Sequence, residues 1–82
     1  MFYTYILFSE SHGRYYFGST SDLKIRLLTH NKGKVKFTKP FRPWRIHYFE
    51  VFQTRSEAVT REMFFKSIDG YRYLRDNNII AR

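Results

Sequence analysis

Residues 2–8 read Phe-Tyr-Thr-Tyr-Ile-Leu-Phe, and residues 15–20 read Tyr-Tyr-Phe-Gly-Ser-Thr. Aromatic and β-branched side chains dominate both segments, and such side chains favour extended strands. The residues between them, 9–14, include Gly13 and two serines, which are typical of turns. The two segments therefore predict a β-hairpin at the start of the chain, on which the rest of the fold is built.

Regular patterns continue beyond the hairpin. Three consecutive residues that can cap a helix stand before an apolar stripe, and together they predict a first helix over residues 21–31. Residues 44–52 are bulky and alternate along the chain, which is typical of a strand in a small antiparallel sheet. That alternation predicts that Trp44, Ile46 and Tyr48 share one face of this third strand.

Two further helices are predicted in the C-terminal third of the chain. Ser56 can cap a second helix that runs to about Ser67, and Asp69 with Gly70 would end it. A last short helix is predicted over residues 71–77. The order is then β-β-α-β-α-α, which predicts an α+β fold with one small three-stranded antiparallel sheet flanked by helices.

The chain has 82 residues, so we expect a single domain over residues 1–82. A domain of this size buries only about 60% of the surface of its unfolded chain, and its core must therefore be dense. Nine Phe, seven Tyr and one Trp supply that density, because each aromatic side chain buries a large area.

Charge and cysteine content restrict the partners and the chemistry. Lys and Arg number 15 against 7 Asp and Glu, and the net charge of +8 favours a polyanionic partner, with nucleic acid as the leading candidate. With no cysteine there is no disulfide, thiolate zinc site or thiol nucleophile, and we expect a cytoplasmic location. The apolar start, residues 1–8, has neither the features of an export signal nor the length of a membrane span.

The spacing of several side chains resembles a known family, the GIY-YIG nucleases. The segments Tyr3-Thr4-Tyr5 and Tyr16-Phe17-Gly18 correspond to its two motifs, although only the final tyrosine of the first motif remains and phenylalanine replaces isoleucine in the second. Arg26, His30 and Glu62 stand where family members carry a helix arginine, a histidine or tyrosine, and a glutamate. The resemblance extends over nearly the whole chain and points to the small stand-alone members.

The resemblance implies a metal-dependent endonuclease that hydrolyses DNA phosphodiester bonds with low sequence specificity. Such a reaction requires a base for the attacking water, positive charge near the phosphate, and help for the departing oxygen. The catalytic residues implied by the resemblance are Tyr5, Tyr16, Arg26, His30 and Glu62.

Each of these residues has an implied role. Tyr5 would be the base, with its pKa lowered by a neighbouring cation or by a hydrogen bond from a group such as His30, and Tyr16 would orient that pair. Arg26 would present its planar guanidinium to two phosphate oxygens. Glu62 would be the metal ligand and would hold one Mg²⁺ or Mn²⁺ that is otherwise surrounded by water and phosphate oxygens.

Alternatives remain at a few positions. Glu57, in the first turn of the predicted second helix, is a rival metal ligand. The asparagine that steadies the site in the family corresponds to Asn77 or to Asn78. Ser19 stands where some members carry a lysine, so the tyrosine base would depend more on the helix arginine and histidine.

A basic loop is predicted over residues 32–43, after the first helix. Residues 32–45 contain six basic residues and no acidic one, and the glycine and prolines in this stretch exclude a continuous helix or strand. Phe37, Phe41 and Trp44 lie among these cations, a mixture suited to backbone phosphates and unstacked bases, although burial explains the aromatic rings equally well. The residues predicted to contact DNA are Ser19, Lys32, Lys34, Lys36, Lys39 and Arg42.

Two other functions remain open. A catalytically inactive nucleic-acid-binding module of the same fold would fit the missing glycine of the first motif and the serine at Ser19. RNA could replace DNA as the substrate. We expect no membrane partner, and a monomer or a weak homodimer.

Overall fold

The computed structural model describes residues 1–81. Three antiparallel strands form one sheet in the order β2-β1-β3, so β1 is central and the other two strands are the edges. The elements in chain order are β1 (Phe2–Ser9), β2 (Arg14–Thr20), α1 (Leu23–Asn31), a 3₁₀ turn (Lys39–Phe41), β3 (Arg45–Phe52), α2 (Arg55–Lys66) and α3 (Ile68–Asp76). This architecture confirms the predicted α+β class and element order. No helix within residues 1–81 is long and apolar enough to cross a membrane.

Strand β1 is buried on both faces. Tyr5 and Leu7 point toward α1 and pack against its apolar side chains, and we call this side of the sheet the α1 face. Ile6 points the other way and packs with Phe65 of α2 and Leu74 of α3, and we call this side the α2 face. Two-sided burial explains why residues 2–8 are almost continuously apolar, because each large side chain removed from water contributes about 1.5–3 kcal/mol.

The β1–β2 hairpin is confirmed, and its register positions the candidate site. The turn contains Gly13, whose φ of 61° lies in the left-handed region that glycine adopts without steric cost. Tyr5 lies opposite Gly18, and Thr4 lies opposite Ser19. Directly opposed residues of an antiparallel pair point to the same face of the sheet. Gly18 therefore lies on the α1 face and Ser19 on the α2 face.

A β-bulge in β3 places one side chain, Tyr48, on the face opposite to the predicted one. Ile6 pairs with Tyr48 while the next residue, Leu7, pairs with Ile46, so His47 is an extra residue on β3. Ile46 consequently packs on the α1 face and Tyr48 on the α2 face. Trp44 and Ile46 share the α1 face as predicted. The prediction was wrong for Tyr48, because strict alternation fails at a bulge.

The start of α2 also differs from the prediction. Thr54, and not Ser56, is the N-cap, and it forms a capping box in which its hydroxyl accepts from the amide of Glu57 while the Glu57 carboxylate accepts from the amide of Thr54. Such a cap stabilises a helix by about 0.5–2 kcal/mol. Ser67 ends α2 and also caps α3, so α3 begins three residues earlier than predicted.

Gly70 lies at the contact between two helices. The prediction that it ends α2 was wrong. It lies within α3, where a Cβ atom would overlap the backbone carbonyl oxygen of Phe64 in α2. The glycine therefore permits close approach of the two helix backbones. A glycine that terminates a helix and one that packs a helix look alike in sequence, which is why the boundary was misplaced.

Candidate active site

Three of the five predicted catalytic side chains meet on the α1 face. The hydroxyl of Tyr5 lies 3.1 Å from Nε2 of His30, and both side chains are buried, with 2% and 1% of their surface exposed. The ring of Tyr16 contacts the His30 ring at a centroid distance of 5.0 Å. Strand β1, strand β2 and helix α1 thus each contribute one member of this cluster.

A fourth residue, Thr38, completes the cluster. Its hydroxyl lies 2.8 Å from Nδ1 of His30, and its side chain is fully buried. The indole of Trp44 donates to the Thr38 carbonyl at 2.9 Å, which anchors the loop that carries Thr38. No sequence pattern singled out Thr38, because a threonine in a polar loop is unremarkable until the fold buries it beside a histidine.

Counting donors and acceptors indicates which way the protons point. With the His30 proton on Nδ1, the Thr38 hydroxyl accepts from Nδ1–H and donates to the Val35 carbonyl at 3.3 Å, and Nε2 accepts from the hydroxyl of Tyr5. In this arrangement every proton of the chain Tyr5–His30–Thr38 has an acceptor. Tyr5 is therefore hydrogen-bonded to a group that can receive its proton.

The electrostatics of this chain correct one sequence-based expectation. Burial raises the pKa of Tyr5 above its ordinary value, and the positive charge of Arg26 only partly opposes that effect. Burial, followed by the charge of Arg26, lowers the pKa of His30 to about 4, so His30 is neutral near pH 7. The expectation that its neighbours lower the pKa of Tyr5 is wrong for the protein alone, because desolvation of the phenolate outweighs a single guanidinium.

Arg26 lies close to this cluster and has unused hydrogen-bonding capacity. Asp22 caps α1 by accepting from the amide of Ile25, which fixes the first turn of the helix that carries Arg26. The Nε atom of Arg26 is buried and has no hydrogen-bond partner among residues 1–81. A buried donor without a partner is costly, so this guanidinium is suited to an anion that enters the site.

Gly18 has a steric role beside Tyr5. A Cβ atom at this position would overlap the Tyr5 hydroxyl. Only glycine lets the phenol lie across β2 while it reaches His30. This contact gives a physical reason for a glycine at the end of the second motif.

Glu62 approaches the same strand from the α2 face. Its Oε1 accepts from the hydroxyl of Ser19 at 2.8 Å, and its Oε2 lies 2.6 Å from Nζ of Lys66. Because β2 is an edge strand, a side chain of α2 can reach the strand segment that holds Gly18. The charge of Glu62 also contributes to the raised pKa of Tyr5, although it is the smallest of the causes. The candidate site is therefore assembled around the outer edge of β2 from both faces of the sheet.

The donor set at Glu62 fits a weakly held hard cation. Residues 1–81 contain no cluster of three or more His, Cys, Asp or Glu side chains, so any ion bound at Glu62 would keep most of its ligands as water or phosphate oxygens. The rival ligand Glu57 is engaged in the capping box with Thr54 and is exposed at the start of α2. A structural role therefore accounts for Glu57 without a metal.

The asparagines at the end of the chain have structural roles. The side-chain amide of Asn77 donates to the Tyr73 carbonyl of its own helix, and Asn78 adopts a left-handed φ of 59° beyond the helix end. Asn31, which the sequence did not single out, makes two hydrogen bonds to the backbone of Trp44, with its Nδ2 donating to the carbonyl at 2.9 Å and its Oδ1 accepting from the amide at 2.7 Å. These bonds join the end of α1 to the start of β3.

Asn31 thereby closes the base of the basic loop, residues 32–43. The five loop cations predicted to contact DNA are all exposed: Lys32, Lys34, Lys36, Lys39 and Arg42. The three aromatic residues of this stretch differ in exposure. Trp44 belongs to the core, Phe41 is partly buried, and Phe37 is 69% exposed although its ring contacts Tyr16. The loop joins the candidate site through Thr38. Ser19, the remaining residue predicted to contact DNA, is bonded to Glu62.

Comparison with known proteins bears directly on this arrangement. The family model of the GIY-YIG catalytic domain matches residues 1–70 of this chain. A UPF0213 protein of Bacillus pumilus is 44% identical over 66 residues, which cover 79% of this chain and 66% of the relative. A UPF0213 protein of Listeria welshimeri is 42% identical over 69 residues, which cover 83% of this chain and 74% of the relative. The chain spans about two thirds of the length of the first of these relatives. No solved structure matches it. The chain belongs to the GIY-YIG family.

Proposed function

We propose that this protein is a metal-dependent endonuclease that hydrolyses DNA phosphodiester bonds, with residues 1–82 acting as one nuclease domain of low sequence specificity. The observation that carries the proposal is the hydrogen-bonded chain Tyr5–His30–Thr38, with the charges of Arg26 and Glu62 both acting on Tyr5. Any buried hydroxyl needs a hydrogen-bond partner, and a histidine partner can in addition receive the proton.

Tyr5 is the base in this proposal. Its oxygen takes a proton from the attacking water as its hydroxyl proton passes to Nε2 of His30, so that no free phenolate, which burial disfavours, has to form first. The bond from Nδ1–H to Thr38 orients the imidazole for this transfer. Tyr16 packs on the same imidazole and limits its rotation.

Arg26 and Glu62 supply the charges in this proposal. The guanidinium of Arg26 binds two phosphate oxygens and stabilises the negative charge that develops on them. Ser19 holds Glu62 in position at the edge of β2. A Mg²⁺ or Mn²⁺ ion bound by Glu62 would supply positive charge for the departing oxygen and would favour the phenolate form of Tyr5.

The basic loop supplies the contact to the DNA backbone. Its exposed lysines and Arg42 project from a segment anchored by Asn31 and Thr38, so phosphates bound there lie beside the proposed catalytic cluster. Phosphate contacts without base-edge contacts carry no sequence information, which is the reason for proposing low specificity.

The test is nicking of supercoiled plasmid by the purified protein with Mg²⁺, Mn²⁺ or EDTA. Glu62→Gln keeps an acceptor for Ser19 but loses the negative charge, and we expect it to abolish cleavage while DNA binding persists. Glu57→Gln, on the same helix, is the matched control and should cleave like the wild type. Equal cleavage by Glu62→Gln and the wild type would refute the metal-ligand role of Glu62.

Two observations favour a second function, that of an inactive nucleic-acid-binding module. Tyr5 is almost fully buried and its pKa is raised. Both carboxylate oxygens of Glu62 already accept hydrogen bonds, one from Ser19 and one from Lys66. In that case plasmid and oligonucleotides would bind without cleavage in every metal. A comparison of DNA with RNA oligonucleotides in the same assay identifies the substrate.

A further inference from the structure

A groove that the proposed function does not use runs along the outer edge of β2. It consists of two open hollows that share Phe17 and Tyr71 as a common wall, one of about 410 Å³ between β2 and α3 and one of about 250 Å³ that reaches Arg14 and Phe37. The larger hollow falls within the size range of small-ligand sites, about 300–1,000 Å³. We call the two hollows together the edge groove.

The edge groove adjoins the proposed active site. Lys66 lines the larger hollow, and its ammonium group is the one that contacts Glu62. Phe17, in the shared wall, immediately precedes Gly18 in β2. The groove therefore lies within reach of a strand whose phosphate is bound at Arg26.

Aromatic surfaces in the groove are exposed to solvent. Phe37 is 69% exposed and Tyr71 is 43% exposed, on opposite sides of the β2 edge. Phe17 lies between them at the edge of the sheet. Large aromatic faces left in water are suited to stacking with bases that are not already stacked in a duplex.

The charges of the groove are positive. The larger hollow is lined by Lys66, Arg72 and Arg75, the smaller by Arg14, and within residues 1–81 no carboxylate lines either one. The guanidinium of Arg75 lies 5.6 Å from the centre of the Tyr71 ring, and its Nε is buried without a hydrogen-bond partner. Cations placed beside aromatic faces are typical of sites that track the phosphates of a single strand and stack its bases.

We propose that the edge groove binds unpaired nucleotides of the DNA strand that is cut, with bases stacked on Tyr71 and Phe37 and phosphates paired with Arg72 and Arg75. The inference rests on the proposed function and adds the substrate class, namely DNA that is single-stranded next to the scissile phosphate. The exposed lysines of the basic loop then contact phosphates next to the scissile one, while Phe37 of the same loop faces the groove.

The test measures binding in EDTA, so that it does not depend on cleavage. Fluorescence anisotropy would compare a labelled single strand of about 15 nucleotides with a hairpin duplex of the same sequence. We expect the wild type to bind the single strand more tightly. Tyr71→Leu and Arg72→Gln should each weaken single-strand binding, by about 10-fold for the lost stacking face, and should change duplex binding much less.

Matched controls lie on another part of the surface. Tyr73→Leu removes a partly exposed ring of α3 that packs on Phe64 and lines neither hollow. Arg55→Gln removes an exposed guanidinium of α2 that lies over Phe2 of β1, so both variants should bind like the wild type. Thermal unfolding of each variant checks that it is folded, and Arg72→Gln, at an exposed position, keeps the test valid if Tyr71→Leu is unstable.

Three results would overturn the inference. Equal binding of single strand and duplex would refute the proposed preference for unpaired DNA. Wild-type affinity of both groove variants would show that the groove is not the binding site. Tighter binding of an RNA strand of the same sequence would contradict the choice of DNA. Because the plasmid assay reports cleavage separately, a metal-dependent nuclease whose groove variants bind normally would keep the proposed function while it refutes this inference.

Discussion

The buried histidine makes the stability of this protein depend on pH in a calculable way. Burial and the charge of Arg26 lower the pKa of His30 from 6.5 to about 4 in the folded state. Between these two values the unfolded chain binds a proton that the folded chain does not. The contribution of His30 to stability is therefore fully present above about pH 6.5 and is lost as the pH falls toward about 4.

The size of the effect follows from the two pKa values. Integrating the linkage relation from about pH 7 to about pH 5 gives a loss of about 2 kcal/mol from His30 alone. Glu50, whose pKa is lowered mainly through its hydrogen bonds to Arg61 and Tyr48 despite its burial, acts in the same direction but below its ordinary value of 4.5, outside this interval. The loss of stability between about pH 7 and about pH 5 therefore reports the titration of histidine rather than that of Glu50.

Urea denaturation at several pH values between these limits measures the effect. The wild type should lose about 2 kcal/mol more than His30→Gln over the interval, because glutamine does not titrate. The comparison cancels the contributions of groups common to both proteins. Equal losses in the two proteins would refute the assignment of His30 as a buried neutral group, and with it the proton path from Tyr5.

Three further outcomes are expected. Gly18→Ala should displace the Tyr5 hydroxyl, lowering the rate of plasmid cleavage at least 10-fold with a stability cost of about 1–3 kcal/mol, and an active variant would show that the contact is not needed. In Gly70→Ala the new Cβ should overlap the Phe64 carbonyl oxygen and lower the free energy of unfolding by about 1–3 kcal/mol or more, which a lower urea midpoint would show. An unchanged midpoint would contradict the observed helix packing. DNA affinity should fall steeply with salt in titrations by anisotropy, whereas a flat response would argue against phosphate contact by residues 32–43.

Much of the fold could be predicted because it depends on local patterns. Apolar periodicity and capping residues located all three strands and all three helices in their correct order. The face of Tyr48 could not be predicted, since a single bulge residue, His47, reverses the alternation and leaves no mark in composition. The role of Gly70 was misjudged for a similar reason, because helix packing is a contact between distant backbone atoms.

The residues of the candidate site could be proposed from the sequence. Their burial, their hydrogen-bond partners and their pKa shifts could not. Motif spacing selected Tyr5 and His30, which the fold does bring to within hydrogen-bonding distance. The partner Thr38 and the direction of the pKa shifts depend on burial, which only the folded chain defines. The pairing of Glu62 with Ser19 likewise requires that β2 be an edge strand.

The most direct test of the central claim compares two tyrosines on the same strand. Under single-turnover conditions with Mg²⁺ or Mn²⁺, Tyr5→Phe should cut DNA about 100-fold or more slowly than the wild type, because it removes the proposed base. Tyr3→Phe, which also loses only a hydroxyl from β1, should cut at the wild-type rate. Cleavage by Tyr5→Phe at the wild-type rate would contradict the claim that the Tyr5–His30–Thr38 chain activates the attacking water.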